Sequence, residues 1–238
     1  FDAVIAVSDP LADELEALRV PPRRLHNIPN AWSPVRDGMA RDQARSALSV
    51  DGDTPVLGWV GRLIPIKGCD VFLKALARLR SSAPNPWVAR VVGDGPELDN
   101  LRRLRDDLEL GDRVDFVGYV EGAARLLTGV DLFVMSSRSE GTPIALLEAM
   151  GAGLATVATD VGGIPEMLGD DECGWLVPVE SPELLARALT EALRNGEERD
   201  RRACRARARI EQTYAPEVWL DRHERAYRSA VAIRGGTG

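Results

Sequence analysis

From Val56 onward, short apolar runs alternate with longer amphipathic segments, and no other feature constrains the fold as much. The apolar runs predict strands at residues 56–60, 87–92, 114–117, 131–135, 155–158 and 174–177. The segments between and after them predict helices at 70–80, 97–108, 123–128, 144–150 and 182–193. Because strands separated by helices form βαβ units, we expect an α/β fold with a parallel sheet flanked by helices.

The residues before Val56 repeat this pattern on a smaller scale. They predict strands at 3–7 and 24–28 and helices at 10–18 and 41–48, and the turn-forming stretch DGDTP at 51–55 marks a boundary. Two further helices, at 197–213 and 216–232, close the chain. The first residue is Phe1 rather than Met, so we expect the chain to be a piece of a longer one.

Charge and composition argue against several classes of function. The formal net charge of −7 disfavours general nucleic-acid binding, which relies on basic surfaces. Two histidines and three scattered cysteines offer no metal-ligand spacing and no disulfide framework, so we expect no metal site. No apolar stretch reaches the roughly 18 residues of a membrane span.

In open parallel sheets, ligands bind beyond the carboxyl ends of the strands, so the loops that follow strands are the candidates for a site. One such loop is GRLIPIKG, residues 61–68. Gly61 permits close backbone approach, and Arg62 and Lys67 bring two cations to one end of the sheet. The loop is compatible with phosphate binding or with two solvated surface cations, and its spacing alone does not decide between them.

A second loop follows the strand predicted at 131–135 and contains two carboxylates, Glu140 and Glu148. We expect Thr142 to cap the next helix and Pro143 to be its first residue, so that free N–H groups face the ligand side. Glu148 lies within an apolar run, where a carboxylate needs a partner. That partner is a ribose 2′,3′-diol, a nearby arginine or an ordered water, whereas Glu140 taken alone reads as an exposed loop acid.

Taken together, these segments resemble one family closely. The similarity is carried by VIAVS, IPNAW, GWVGRLIPIKG, VVGDGPEL, VDFVGYV, DLFVMSSRSEGTPIALLEAMGAGLATVATDVGGIPEML and GWLVP. The family is that of the retaining, metal-independent glycosyltransferases similar to glycogen synthase and sucrose synthase (glycosyltransferase family 4), which have a two-domain GT-B fold. Its most specific segment here is the pair of glutamates separated by seven residues, with its glycine-rich continuation. Ala31 departs from the pattern, because the family usually has glycine there.

The resemblance implies that this chain is the C-terminal, donor-binding half of such an enzyme. Residues 1–50 would be the end of the N-terminal acceptor domain and the linker, and 51–215 a Rossmann-like nucleotide-sugar-binding domain. Residues 216–238 would form a helix that crosses back toward the missing N-terminal domain. The fragment alone would then turn over slowly or not at all.

Individual roles also follow from the resemblance. The catalytic residues would be Arg62 and Lys67, which bind the donor diphosphate, and Glu140, which contacts hydroxyls of the donor sugar without acting as a covalent nucleophile. Glu148 would bind the nucleotide ribose, and the segment 117–120 would lie near the base. The donor-binding set implied in this way is Gly61, Arg62, Lys67, Val117, Tyr119, Val120, Glu140, Gly141, Thr142, Ile144, Ala145 and Glu148.

The full-length enzyme would transfer a sugar from a nucleoside diphosphate to an acceptor hydroxyl with retention of configuration, in cell-surface polysaccharide or glycolipid synthesis. The donor would be UDP-, GDP- or ADP-linked, with no cofactor and no metal, and a sugar or lipid-linked acceptor would bind the missing domain. The resemblance implies a cytoplasmic protein. Because many members of the family work at the inner face of the membrane, peripheral membrane association is left open.

Two other classes of function remain as alternatives. A sugar-nucleotide epimerase on the same architecture would draw its acid and base groups from the missing domain. A non-catalytic nucleotide-binding module or α/β signalling domain would need no transfer chemistry, although the acids Asp94, Asp131 and Asp160 do not form the cluster of a receiver domain. The arginine-rich segment 197–212 favours a solvated helix face over contact with anionic lipid.

Overall fold

The computed structural model describes residues 1–34, 38–82, 86–169 and 171–235. Its main sheet has six parallel strands in the order β5-β4-β3-β6-β7-β8, and a separate parallel pair is formed by β1 and β2. The strands are β1 (Val4–Ala6), β2 (Leu25–Asn27), β3 (Val56–Val60), β4 (Val88–Val92), β5 (Val114–Gly118), β6 (Leu132–Met135), β7 (Thr156–Thr159) and β8 (Gly174–Val177).

Helices connect these strands. The α-helices are α1 (Asp9–Ala17), α2 (Arg41–Ala47), α3 (Cys69–Ser82), α4 (Leu98–Asp107), α5 (Ile144–Gly151), α6 (Ile164–Leu168), α7 (Pro182–Arg194), α8 (Gly196–Thr213) and α9 (Pro216–Gly235). Short 3-10 helices span Pro22–Arg24, Pro65–Lys67 and Ala123–Gly129. Residues 35–37 of the expected linker and 236–238 of the expected last segment lie outside the described residues.

The main sheet is covered on both faces, which explains why its strands are continuous apolar runs rather than alternating ones. On one face, buried side chains of α3, α4 and α7 pack against β3 and β4. On the other face, α5, α6 and α8 enclose a second cluster with β6. The expectation of an α/β fold with a Rossmann-like parallel sheet flanked by helices is confirmed.

The strand order places a ligand crevice at one point of the sheet. From β3 the chain proceeds outward through β4 to β5, whereas from β6 it proceeds in the opposite direction through β7 to β8. Strands β3 and β6 are hydrogen-bonded neighbours at this reversal, with Leu57 opposite Leu132. The connections that leave β3 and β6 therefore run to opposite faces of the sheet, and a ligand crevice is expected at the carboxyl edge of this reversal.

One local expectation is wrong. Helix α5 begins at Ile144, and its N-cap is Pro143 rather than Thr142. The hydroxyl of Thr142 donates to the carbonyl of Val7, and the amide of Asn30 donates to the carbonyl of Thr142 at 3.0 Å. The side chain expected to cap the helix is therefore occupied by a contact with the residue that follows β1.

The arginine-rich helix α8 is only partly solvated. Its Arg202 lies with the guanidinium 4.4 Å from the ring centroid of Trp175, and its Arg209 donates to the carbonyl of Glu166 at 2.6 Å. The exposed Arg207 pairs with Glu211 one turn later, as a solvated face predicts. None of the helices in the described ranges combines the length and apolarity that a membrane span requires.

Candidate active site

The loop that follows β3 is docked onto the end of β6. Gly68 ends the 3-10 turn with a φ of +63°, and a Cβ at this position would lie 1.9 Å from the carbonyl oxygen of Ser136. Ser136 in turn donates its hydroxyl to the carbonyl of Gly68 at 2.7 Å and accepts from the indole of Trp59 at 3.2 Å. This contact requires glycine, and it sets the position of the preceding residue, Lys67.

Lys67 reaches across the crevice to Glu140. Its Nζ lies 2.8 Å from both carboxylate oxygens. The hydroxyl of Ser137 donates to Oε1 of the same carboxylate at 2.6 Å. The side chain of Glu140 is only 5% exposed and that of Lys67 29%. Glu140 is thus a buried acid with a cation and a hydroxyl as partners, rather than an exposed loop acid.

The loop after β7 supports the Glu140 loop from behind. Thr159 donates its hydroxyl to the carbonyl of Ser137 at 2.6 Å, and the amide of Gly163 donates to the carbonyl of Gly141 at 3.0 Å. Gly162 has a φ of +58°, and a Cβ there would lie 1.8 Å from the carbonyl oxygen of Glu140. The glycine pair after β7 therefore allows two backbones to touch beneath the site.

A cavity of about 340 Å³ opens above this ion pair, at the reversal of the strand order. The backbone N–H groups of Ile144 and Ala145, in the first turn of α5, donate to no residue that the structure describes. Free N–H groups at a helix start attract anions. Of the residues implicated by sequence, those that line this cavity are Gly61, Lys67, Glu140, Thr142, Ile144 and Ala145.

An adjoining cavity of about 380 Å³ shares Val60 and Gly61 with the first. Its lining includes Arg62, Tyr119 and Val120. The guanidinium of Arg62 is exposed and makes no hydrogen bond or ion pair with a described residue. The walls are mostly apolar, as suits the face of a flat ring.

Val117 does not join these two linings. It lies within β5, two residues before Tyr119, and is partly buried against the core cluster beneath α5. Gly141 is likewise absent from the linings, because it packs against Val7, whose Cγ2 would lie 2.9 Å from an added Cβ. Both residues shape the loops that form the cavities.

Glu148 faces a third cavity, of about 460 Å³, together with Trp32 and Arg125. Its carboxylate has no hydrogen bond or ion pair with any residue in the described ranges, and burial raises its pKa. Glu148 follows Ile144 and Ala145 by four and three positions, so it lies on the same face of α5 as the helix start. An arginine partner, one alternative from sequence, is not found among the described residues.

Three residues outside the predicted site set support it: Ser137, Thr159 and Gly162. Ser137 stands three residues before Glu140 at a strand end, which is a usable signal for a local hydrogen bond. Thr159 and Gly162 are distant in sequence from the loop they support, and only the order of strands brings them there. Over the residues that the structure describes, no group of three or more His, Cys, Asp or Glu side chains is placed to hold a metal ion.

The chain is similar to known proteins over most of its length. Residues 40–209 match the family model described as glycosyl transferases group 1. The chain is 32% identical to the lipopolysaccharide core biosynthesis glycosyltransferase LpsE of Rhizobium meliloti (strain 1021), over 74% of this chain and 51% of that protein. It is 31% identical to the D-inositol 3-phosphate glycosyltransferase of Mycobacterium marinum (strain ATCC BAA-535 / M), over 97% of this chain and 50% of that protein. The chain thus spans about half the length of these relatives.

Among solved structures, Anabaena Alr3699/HepE in complex with UDP-glucose superposes with a TM-score of 0.84 at 22% identity, over 97% of this chain and 64% of that chain. This similarity shows that the chain shares its fold with GT-B glycosyltransferases. The family match covers most of the chain, and it includes the loops after β3 and β6 and the whole of α5. The chain therefore belongs to the family of group 1 glycosyl transferases.

Proposed function

We propose that this chain is the donor-binding half of a retaining, metal-independent glycosyltransferase and binds a nucleoside-diphosphate sugar. The observation that carries the proposal is the cavity at the strand reversal, where Lys67, Glu140 and the free N–H groups of α5 face one another. A cation with a helix start is suited to a diphosphate, and a buried carboxylate beside them is suited to sugar hydroxyls.

In this proposal the ligand extends along the three cavities. The diphosphate lies between Lys67, Arg62 and the start of α5, and the sugar lies against Glu140. The base occupies the adjoining cavity beside Tyr119 and Val120. The ribose diol is the partner of Glu148, because two hydroxyl groups satisfy a carboxylate that has no partner among the described residues.

In the proposed reaction, these residues stabilise the negative charge that develops on the leaving diphosphate. When the bond between the anomeric carbon and the phosphate oxygen breaks, the electron pair goes to the diphosphate, and the acceptor hydroxyl attacks on the same face. Its proton passes to the departing phosphate. Arg62, Lys67 and the helix start stabilise the growing phosphate charge, which lets the reaction proceed without a metal; removing one such group costs on the order of 10²–10³ in rate.

In the whole enzyme, the acceptor would bind to the half that this chain does not include. Since LpsE is by name a lipopolysaccharide core glycosyltransferase, we place the full-length protein in the synthesis of a cell-surface polysaccharide or glycolipid. It would act in the cytoplasm at the inner face of the membrane, on a sugar or lipid-linked acceptor. The 238-residue chain would bind donor but transfer sugar slowly or not at all.

A thermal-shift panel tests the donor site. UDP, GDP, ADP and TDP are each added with EDTA present, and NAD serves as the control ligand. A nucleotide at about 100 times its Kd adds roughly 2.7 kcal/mol, which raises the Tm by several degrees at about 2–4 °C per kcal/mol. The shift should disappear in Arg62→Ala and Glu148→Ala and persist in Arg225→Ala, which removes a paired cation of α9.

The pattern across the panel also identifies the base. A shift with one diphosphate and not with NAD supports the proposal and names the donor nucleotide. If no diphosphate shifts either this chain or the full-length protein, the donor-site proposal is wrong. A shift in the full-length protein alone would mean that the other half completes the site.

A further inference from the structure

Two groups contact the carboxylate of Glu140 among the described residues: the ammonium of Lys67 and the hydroxyl of Ser137. Lys67 has three N–H donors, and two of them are directed at Glu140. Ser137 lines the same cavity, and its side chain is almost wholly buried. The orientation of Glu140 thus depends on these two partners.

A diphosphate in this cavity competes for Lys67. The phosphates carry more negative charge than one carboxylate, so the ammonium shifts toward them when donor binds. Glu140, at 5% exposure, then loses much of its compensation in a place with little access to water. Burying a carboxylate without partners costs free energy. The remaining hydrogen bond, from the hydroxyl of Ser137, therefore contributes more to holding Glu140 at this step.

A backbone hydrogen bond keeps Ser137 in place during that exchange. Its carbonyl accepts the hydroxyl of Thr159 at 2.6 Å, which fixes the backbone at the end of β6 against β7. Its own hydroxyl donates to Oε1 at 2.6 Å and leaves Oε2 without a hydroxyl partner. The hydrogen bond therefore holds Glu140 in one rotamer, with one oxygen available to the cavity.

We propose that Ser137 is a positioning residue for sugar recognition: it holds Glu140 toward the donor sugar while Lys67 turns to the diphosphate. This inference rests on the proposed function, because it assumes a nucleotide sugar in the cavity. Its consequence is that Ser137 contributes to affinity for the sugar part of the donor and not for the nucleotide part.

The experiment compares nucleotides with and without their sugar by isothermal titration calorimetry on the 238-residue chain. The pairs are UDP with UDP-glucose, GDP with GDP-mannose, and ADP with ADP-glucose. Ser137→Ala should weaken binding of the nucleotide sugar about tenfold or more, the size of a lost hydrogen bond to a charged group. Affinity for the bare diphosphate should stay within about twofold.

Two further variants separate positioning from packing. Ser137→Cys keeps the shape of the side chain with a slightly larger end atom but has a weak donor, so the loss should persist. Ser136→Ala is the matched control, because Ser136 is equally buried and adjacent but donates to Gly68 rather than to Glu140. It should change the affinities for nucleotide and nucleotide sugar by the same factor.

The outcomes distinguish this inference from the proposed function. If Ser137→Ala weakens both members of a pair equally, or if Ser137→Cys restores the lost affinity, Ser137 acts through packing and the positioning role is wrong. If neither the unsubstituted chain nor the full-length protein binds a diphosphate or a nucleotide sugar, the donor site itself is wrong and the inference is overturned with it. If only the full-length protein binds, the same comparison of variants is made in that protein.

Discussion

The loop at residues 136–143 and helix α5 each carry one glutamate of the same motif, and they treat it in opposite ways. In the loop, Glu140 is bound by Lys67 through both oxygens and by Ser137 through one. In the helix, Glu148 has no partner among the described residues, and burial raises its pKa. The described residues thus provide hydrogen-bonding partners for the carboxylate of Glu140 but none for that of Glu148.

Under the proposed function, this difference gives the two carboxylates different tasks. A carboxylate that is paired within the protein keeps its orientation when no ligand is bound. It must then exchange a protein partner for the ligand on binding. An unpaired acid lowers the stability of the free protein, and a ligand with two hydroxyl groups recovers that loss on binding. Destabilising groups retained at a site in this way are a common trade of stability for function.

The largest expected effect tests the support of the loop. Gly162→Ala forces a Cβ against the carbonyl of Glu140 at a φ of +58°, so we expect a loss of about 3–5 kcal/mol in the free energy of unfolding, from strain and overpacking together. Gly153→Ala is the matched control at the end of α5: its φ is +75°, but the nearest atom, of Arg207, lies 4.0 Å away. It should cost about 1 kcal/mol.

Urea denaturation of both variants gives the comparison. Equal losses would mean that the close contact under Glu140 adds nothing beyond the backbone strain, and that the loop is not rigidly supported.

The next effect tests the compensation of Glu140. Lys67→Met leaves the buried carboxylate with Ser137 alone, so we expect a loss of about 1–3 kcal/mol, smaller in the double variant with Glu140→Gln. The double-mutant cycle should give a coupling of about 1–2 kcal/mol. The control cycle uses Arg207 and Glu211, whose side chains are 57% and 51% exposed, and should give about 0.3–0.5 kcal/mol. Similar couplings in both cycles would remove the contrast between a buried pair and a surface pair.

The smallest effect concerns Glu148 and has a defined dependence on pH. Because its folded-state pKa is raised, the folded protein holds a proton on Glu148 more tightly than the unfolded chain does. Glu148 therefore lowers stability as pH rises from its ordinary pKa of 4.5 through the raised value, and its full cost is present above the raised value.

Glu148→Gln removes this cost. At pH 7 we expect the Tm to rise by about 2 °C or less, and the difference from the unsubstituted chain should vanish below the ordinary pKa. Comparison of the two proteins at each pH cancels the contribution of Glu166, whose pKa burial also raises. A Tm that falls at pH 7 would show that Glu148 has a stabilising partner, as Glu140 has.

Much of the fold was predictable from the sequence, because parallel strands buried on both faces are continuous apolar runs. The predicted strand at 56–60 agrees with β3 at Val56–Val60, and the helix predicted at 144–150 agrees with α5 at Ile144–Gly151 within one residue. The cap of α5 was not predictable, because Thr142 satisfies its hydroxyl on Val7, more than 100 positions away in the chain.

The sequence by itself determined the alternation of strands and helices, the family resemblance, and which residues stand at strand ends. These are properties of local pattern and of residue type. Only the tertiary structure decided that Glu140 has partners and that Glu148 has none within the described ranges, since Lys67 and Gly162 reach the Glu140 loop through the order of strands β3, β6 and β7. The physical reason is that the charge state of a carboxylate depends on burial and on its neighbours in space, and spacing along the chain specifies neither.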